Sequence, residues 1–351
     1  MSYHDIEYSP LTIGPRRKSR CPLWLWVLLG GSIFLALNIF VSKRVTTKPL
    51  SPLDQFEKLN DISPVYKGFQ DVPGNPELLT ADERAVVSTL YTENYIPGLL
   101  ALGQSLREAN TSARSVLLYF PKSVSPKSRC QLEAVGWELH PISRIEAPDG
   151  GKGVYSRFLD QYSKLNIWGL DTIGIKVAIY LDGDTVVRSN FDELWSLPFN
   201  FAAVPDIYGD KRGFTLGFNA GVLFLRTSSA IRADMLSKIG TAHYKHTDAE
   251  QGFLNTYFSS QVSRLPYTYN ANLAIKKRAP EFWEAMKTSM KIVHYTLVKP
   301  WDVLNYRTTD NVASAEEWKE EFGWWSDAWR GASATVSRAE CEALPLMSLG
   351  D

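Results

Sequence analysis

The sequence predicts an α/β fold with a mainly parallel central sheet covered by helices on both faces, and three observations point to it. From Arg84 onward, short apolar runs alternate with amphipathic stretches of helical period, the pattern of strands joined by crossover helices. The run Val177 to Leu181 is apolar at every position, as a strand buried on both faces must be. It ends in Asp182-Gly183-Asp184, and two carboxylates at the carboxyl end of a buried strand belong at a cleft edge, facing water or a cation.

The chain has 351 residues, enough for one large or two small domains with a substantial core. Lysine plus arginine equals aspartate plus glutamate at 38 each, so the basic surplus of a nucleic-acid binder is absent and no such partner is expected. Three cysteines, Cys21, Cys130 and Cys341, are too few for a disulfide scaffold and show no C-x-x-C metal spacing. A Cys130–Cys341 bridge in an oxidising lumen and two buried thiols both fit that count. Oligomeric state is not legible.

Taken in order, residues 1–21 are polar, carry the basic cluster Arg16, Arg17, Lys18 and Arg20, and are expected as a short cytoplasmic tail. Leu23 to Val41 are nineteen residues with only Ser32 and Asn38 polar, and Trp24 and Trp26 lie near one end. Residues 22–41 are therefore expected to form a membrane-crossing helix, an uncleaved signal anchor. With the short N-terminus inside, the chain is a single-pass type II membrane protein, expected in the Golgi with its large domain lumenal. Residues 42–80 hold Pro49, Pro52, Pro64, Pro73 and Pro76 without sustained periodicity and read as a stem.

Residues 81–305 are expected as the principal domain. Ala85–Leu90 reads as a strand, Ile96–Ala109 as a helix with Leu99, Leu102 and Leu106 on one stripe, and Ser115–Phe120 as a strand. A helix at Ser128–Ala134, a strand at Trp137–His140 and a helix at Arg157–Trp168 precede the central strand. Beyond it come a short helix or turn at Phe191–Leu197, strands at Phe201–Val204 and Ala220–Leu225, helices at Ala230–His243 and Ala249–Phe258, and a strand at Lys291–Tyr295. Residues 306–351 are expected as a tryptophan-rich helical extension, because Trp318, Phe322, Trp325 and Trp329 fall at i, i+4, i+7 and i+11, a stripe suited to core packing. Asn110-Thr111-Ser112 is a glycosylation sequon, consistent with a lumenal domain.

Asp182 and Asp184 offer hard oxygen ligands to a divalent cation, and Gly183 between them admits a close approach. A helix cap or Asx-turn uses the same residues, so the pair alone does not decide. Six segments in order are far more specific: Thr89-Leu90-Tyr91-Thr92 with Tyr95, Lys164-Leu165-Asn166-Ile167-Trp168, Asp182-Gly183-Asp184-Thr185, Phe218-Asn219-Ala220-Gly221-Val222, Glu250-Gln251-Gly252-Phe253-Leu254-Asn255, and His294-Tyr295 with Lys299-Pro300-Trp301. Across about residues 84–302 the chain thereby resembles glycosyltransferase family 8, the group of glycogenin and galactinol synthase, as a membrane-anchored member of fungal type.

The resemblance implies a single Rossmann-like, nucleotide-sugar-binding domain of GT-A type. Its implied activity is that of a retaining hexosyltransferase moving sugar from a uridine diphosphate (UDP) sugar to a glycan or small hydroxyl acceptor, with Mn2+ as cofactor. The implied metal ligands are Asp182, Asp184 and His294, a mixed oxygen and nitrogen set that suits manganese better than calcium or magnesium. A cation bridging a diphosphate stabilises the charge that develops on that leaving group.

Lys299 is implied at phosphate as a point charge. Arg157 and Lys164, two helical turns apart, are implied at the donor phosphate or sugar, and an Asp160–Lys164 pair at i, i+4 is the structural alternative. Leu90, Thr92 and Tyr95 match nucleoside positions, with Tyr95 placed to stack on the base. Asn219, Ala220 and Gly221 match the segment beneath the donor sugar, where Gly221 would admit its close approach.

Gln251 matches the residue nearest the reacting face, and the implied catalytic set is Gln251, Asp248 and Lys164. An amide is a poor nucleophile, so front-side attack is expected, with Gln251 and Asp248 stabilising an oxocarbenium-like centre.

Three departures stand out. Glu93 replaces an asparagine of glycogenin with one residue fewer before Tyr95, no glycine occurs between His294 and Lys299, and the segment Asn270 to Arg278 has no counterpart of the tyrosine that glycogenin glucosylates. Self-glucosylation is therefore not expected. Two other classes share features: a catalytically silent nucleotide-sugar-binding scaffold, and a haloacid-dehalogenase-type phosphatase, whose nucleophile loop LDGDTV also resembles. That loop follows the first strand of its domain, whereas here it comes about a hundred residues after Ala85.

Overall fold

The structure, a computed structural model, describes residues 79–305, 309–345 and 347. The expected tail, anchor and nearly all of the stem lie outside those residues. Among the described residues no helix is long and apolar enough to cross a membrane.

Strands β1 (Arg84–Leu90), β2 (Arg114–Tyr119), β3 (Glu138–Pro141) and β4 (Val177–Leu181) are followed by β5 (Thr185–Val187), β6 (Phe201–Ile207) and β7 (Phe214–Arg226). Three short ones complete the set: β8 (Ser263–Arg264), β9 (Ala271–Asn272) and β10 (Ile292–His294). The main sheet has seven strands in the order β3-β2-β1-β4-β7-β6-β8. β1 lies parallel to β2 and β4, β2 to β3, and β6 to β8, while β7 runs antiparallel to both neighbours. The sheet is thus mainly parallel, as the alternation predicts. β7 reverses because it returns from β6 through a short turn, which can only join antiparallel strands.

The helices are α1 (Ile96–Glu108), α2 (Pro126–Ala134), α3 (Ser229–Lys238), α4 (Ala249–Tyr257), α5 (Leu273–Arg278), α6 (Pro280–Met286), α7 (Pro300–Asn305), α8 (Thr309–Glu317) and α9 (Lys319–Arg338). Packed with them, the sheet separates two large apolar layers. Val86 and Ile179 pack with Leu99, Leu102 and Trp325 in one, and Val87, Ala178 and Tyr180 pack with Trp168 and Phe253 in the other. Successive residues of β4 therefore point to opposite layers, which is why all five are apolar and buried. Truncating Ile179 to alanine would cost about 2–5 kcal/mol through the cavity it leaves.

The segment predicted as a helix at Arg157–Trp168 is instead a run of tight 3-10 turns over Ser156–Ile173. At about three residues per turn, Arg157 and Lys164 no longer share a face. Trp318, Phe322, Trp325 and Trp329 are buried in the same core as the sheet, and α9 lies against α1. Cys130 of α2 and Cys341 are joined as a disulfide with Cα atoms 5.9 Å apart, so of the two states compatible with the count the bridge is the one formed.

Two strands too short to read from periodicity, β5 and β9, flank the predicted strand β10 and decide where the chemistry sits. β5, β10 and β9 form a second sheet in which His294 stands opposite Thr185 on one side and beside Asn272 on the other. That register brings His294 to the residue next to Asp184.

Candidate active site

From β1 the chain moves outward to β2 and β3, and from β4 the sheet continues the other way to β7, so a crevice opens at the carboxyl ends of β1 and β4. Asp182 emerges there. Its backbone N–H donates to Gly221 O at 2.8 Å, and Thr185 closes the turn by donating its N–H (3.1 Å) and Oγ1–H (2.8 Å) to Asp182 O. Tyr180 Oη donates to Asp182 Oδ1 at 2.5 Å.

Asp184 is buried, with His294 Nε2 3.2 Å from its Oδ1 and Lys299 donating to its Oδ2. Burial alone would raise the Asp184 pKa, but the Lys299 ammonium and His294 outweigh it and hold the carboxyl well below the usual range.

Ligand atoms of Asp182, Asp184 and His294 all lie within 4.8 Å of one another. His294 Nδ1 faces Asn270 Oδ1 at 3.0 Å. An amide oxygen only accepts, so Nδ1 carries a proton towards Asn270, and Nε2 is the ring nitrogen left to offer its lone pair to a cation held between the two carboxylates. Two carboxylates and an imidazole in that tautomer fit a divalent transition-metal ion such as Mn2+.

Around this cluster lies a cavity of about 350 Å³ lined by Thr92, Tyr95, Arg157, Asp182, Gly183, Asp184, Asn219, His294 and Lys299 among others. Gln161 Oε1, also on its lining residues, is buried without a partner, a position a polar ligand would satisfy. Tyr95 is 38% exposed and rests edge-on against Trp301 at 5.7 Å. Glu93 accepts from Ser125 N–H (2.6 Å) and Ser128 Oγ–H (2.7 Å), so this departure from glycogenin anchors the start of α2.

Five expected residues stand differently. Leu90 is sealed in the core, and Thr89 and Tyr91 on either side line the cavity in its place. Lys164 is 1% exposed; it donates to Ala220 O (3.1 Å) and Glu250 Oε1 (2.7 Å) and pairs with Asp182 Oδ1 at 3.2 Å. Burial disfavours its ammonium, but the Asp182 and Glu250 carboxylates outweigh that and raise its pKa. Lys164 is thus a buttress behind Asp182 rather than an open phosphate ligand, and Asp160 pairs with Arg144 (2.7 Å) instead.

Gly221 makes room for the His294 ring: a Cβ there would lie 2.2 Å from His294 Cε1. Ala220 is buried and contributes its backbone N–H and C=O. Asp248 lines neither cavity described here and lies 3.6 Å from Lys245 Nζ. It sits at the surface turn that starts α4, which the linear proximity to Gln251 does not reveal.

Asp206, Asn270 and Gly98 have no role assigned from the sequence, and Glu250, quoted there only as part of its motif, gains one. Asp206, at the end of β6, accepts from Asn219 Nδ2 (3.1 Å) and Gln251 Nε2 (2.9 Å). Burial pushes its carboxyl above the ordinary value, against the hydrogen bonds it accepts from Asn219 and the Ile207 N–H. Asn270 links His294 to Asn219, and Glu250 pairs with Lys164. Gly98 lets α1 approach the acidic turn, since a Cβ there would meet Gly183 O at 2.1 Å. Of these, Glu250 lies in a quoted motif and Gly98 follows Pro97, whereas Asp206 and Asn270 carry no local signal.

A second cavity of about 440 Å³ adjoins the first, sharing Asn219 and Thr296 and lined also by Asp206, Arg212, Gln251, Lys277 and Leu297.

A mainly parallel sheet with an acidic turn and a histidine at its switch point is the α/β fold of GT-A type. In fold the chain is similar to the bifunctional glycosyltransferase WbbM in its apo form, with a TM-score of 0.50 and 19% identity over 69% of this chain and 51% of that one. Residues 86–304 match the family described as Glycosyl transferase family 8, and the chain belongs to that family.

It is 28% identical over 242 residues to inositol phosphorylceramide glucuronosyltransferase 1 of Arabidopsis thaliana, covering 62% of this chain and 42% of that protein. It is also 28% identical over 253 residues to glycogenin of Neurospora crassa, covering 71% of this chain and 35% of that protein. The matches thus span well under half the length of these relatives.

Proposed function

We propose that the chain is a retaining glycosyltransferase that moves a hexose-type sugar from a UDP-sugar to the hydroxyl of a glycan or small acceptor, with Mn2+ as its metal. The observation that carries this is the convergence of Asp182, Asp184 and His294, with Lys299 beside them, in a cavity that adjoins a second one at Asn219 and Thr296. A donor and an acceptor need two adjoining sites with the transferred sugar held at their boundary, which a binding scaffold does not.

Thr92 and the half-exposed Tyr95 receive the nucleoside, and Lys299 and Arg157 meet the diphosphate. Asp182, Asp184 and His294 would hold Mn2+, which supplies Lewis-acid stabilisation of charge on the departing diphosphate. Asn219 and Gln251 hold the sugar at the junction, oriented by Asp206. Gln251 is a poor nucleophile, and Asp206 is committed to two amides. The acceptor hydroxyl therefore enters from the second cavity on the face the diphosphate leaves. Its bond to the anomeric carbon forms as the bond to phosphate breaks, and its proton passes to the leaving phosphate oxygen.

The proposal extends to the whole chain as tail (1–21), anchor (22–41), stem (42–80), catalytic domain (81–305) and helical extension (306–351). It is a fungal-type, type II Golgi protein with a lumenal catalytic domain. The apolar run Leu23 to Val41 and the Cys130–Cys341 bridge, suited to an oxidising lumen, support the anchored and lumenal parts of this reading.

The test is a donor panel of glucose, galactose, N-acetylglucosamine, xylose and glucuronic acid UDP-sugars, each with and without Mn2+. One donor should turn over with Mn2+, and Asp184→Asn and His294→Ala should abolish that turnover. Unchanged rates in both variants, or a glycosyl adduct trapped on the protein, would refute the metal site and the front-side step respectively.

A further inference from the structure

We infer that Asn270 is a positioning residue that ties the metal-binding histidine to the sugar-binding amides. This role rests on the donor site proposed above. Two backbone N–H groups, which can only donate, set the whole arrangement.

Ala220 N–H donates to Gln251 Oε1 at 2.9 Å, so Gln251 turns its Nε2 to Asp206 Oδ2 at 2.9 Å. Gly221 N–H donates to Asn219 Oδ1 at 3.0 Å, so Asn219 turns its Nδ2 to Asp206 Oδ1 at 3.1 Å. The same Asn219 oxygen faces Asn270 at 2.9 Å and can only accept there too, so Asn270 presents its Nδ2 to it. That leaves Asn270 Oδ1 for His294 Nδ1 at 3.0 Å, and the imidazole must carry its proton on that side. Every amide orientation between Gln251 and His294 follows from the backbone. Flipping any one would set like groups face to face in a site largely closed to water on the Asn270 side.

Asn270 is 2% exposed, so water has no ready access to stand in for it. Its own backbone is pinned: its N–H donates to Tyr267 O at 3.1 Å, and its carbonyl accepts from Asn272 N–H at 2.8 Å just before β9. One side chain therefore supports His294 with its oxygen and Asn219 with its nitrogen. Those two halves can be removed separately.

The experiment uses the full-length protein with Asn270→Asp and Asn270→Ala. Aspartate is nearly isosteric and still accepts from His294 Nδ1–H, but has no proton for Asn219; alanine supplies neither contact. Affinity for Mn2+ alone is read by electron paramagnetic resonance titration without nucleotide sugar, and kcat and KM are read by UDP release at saturating Mn2+. Asn270→Ala should weaken Mn2+ binding by about ten- to a hundredfold, while Asn270→Asp should stay within about threefold of the parent. Both should lower kcat at saturating Mn2+ by about tenfold or more, since Asn219 loses its donor in each.

Parent-like Mn2+ affinity in folded Asn270→Ala, or full kcat in Asn270→Asp, would overturn the assignment. Melting curves report whether each variant folds, and should Asn270→Asp fail to fold, the metal affinity of Asn270→Ala decides alone. A parent protein that transfers no sugar while Asn270→Ala still loses Mn2+ would remove the transferase reading and leave this role standing.

Discussion

Replacing Gly221 by alanine puts the geometry of the metal site to a direct test. A Cβ at that position would lie 2.2 Å from His294 Cε1, 2.7 Å from its Nδ1 and 2.9 Å from Asn219 Oδ1. Ordinary carbon contacts begin near 3.5 Å, so the imidazole must retreat by roughly 1 Å. It has little room, being buried in β10 between β5 and β9 and bonded to Asn270. Overpacking of this kind costs about 1–3 kcal/mol, which for a domain of this size lowers Tm by roughly 2–12 °C. Displacing a metal ligand should also weaken Mn2+ binding by at least the ten- to hundredfold typical of losing an outer-shell partner.

Isothermal titration with Mn2+ alone, with a melting curve beside it, measures both effects. A variant that binds Mn2+ like the parent and shows only a higher donor KM would refute this reasoning. It would mean that Gly221 serves the sugar, as the sequence alone suggests.

Three further outcomes are expected. Lys164→Met strips the counter-charge from Asp182 and the buried Glu250, so urea unfolding should show a loss of about 3–5 kcal/mol, and a loss under 1 kcal/mol would count against the buttress. Reducing the Cys130–Cys341 bridge, which spans 211 residues, should cost about 2–5 kcal/mol by freeing the unfolded chain, read as a lower Tm after dithiothreitol. Asp184 has a depressed folded-state pKa, so the stability it contributes is present above its unfolded value of about 4 and is lost as pH falls below that. Metal-free Asp184→Asn should accordingly lose less stability than the parent between pH 5 and pH 3, and parallel losses would contradict the pairing with Lys299.

Much of the scaffold was legible because it is encoded locally. β4 begins and ends where its apolar run does, α1 follows its leucine stripe, and the Trp318 to Trp329 stripe is buried. Strands of two or three residues, such as β5, β8 and β9, carry too few positions to show a period, and β5 and β9 are the ones that flank His294. Arg157 and Lys164 were linked by counting ideal helical turns, and the 3-10 run separates them.

By itself the sequence determined the alternation of strands and helices, the acidic turn at the end of a buried strand, and the residue types able to hold a metal. These are properties of neighbours along the chain, where side-chain period and burial are written directly. Only the tertiary structure decided that Lys164 is spent on Asp182 and Glu250, that Gly221 faces His294, that Asp248 stays outside, and that Asp206 and Asn270 join the site. Charge and hydrogen-bond partners are chosen by sheet register across tens to hundreds of residues, and no local pattern records which buried donor will find which acceptor.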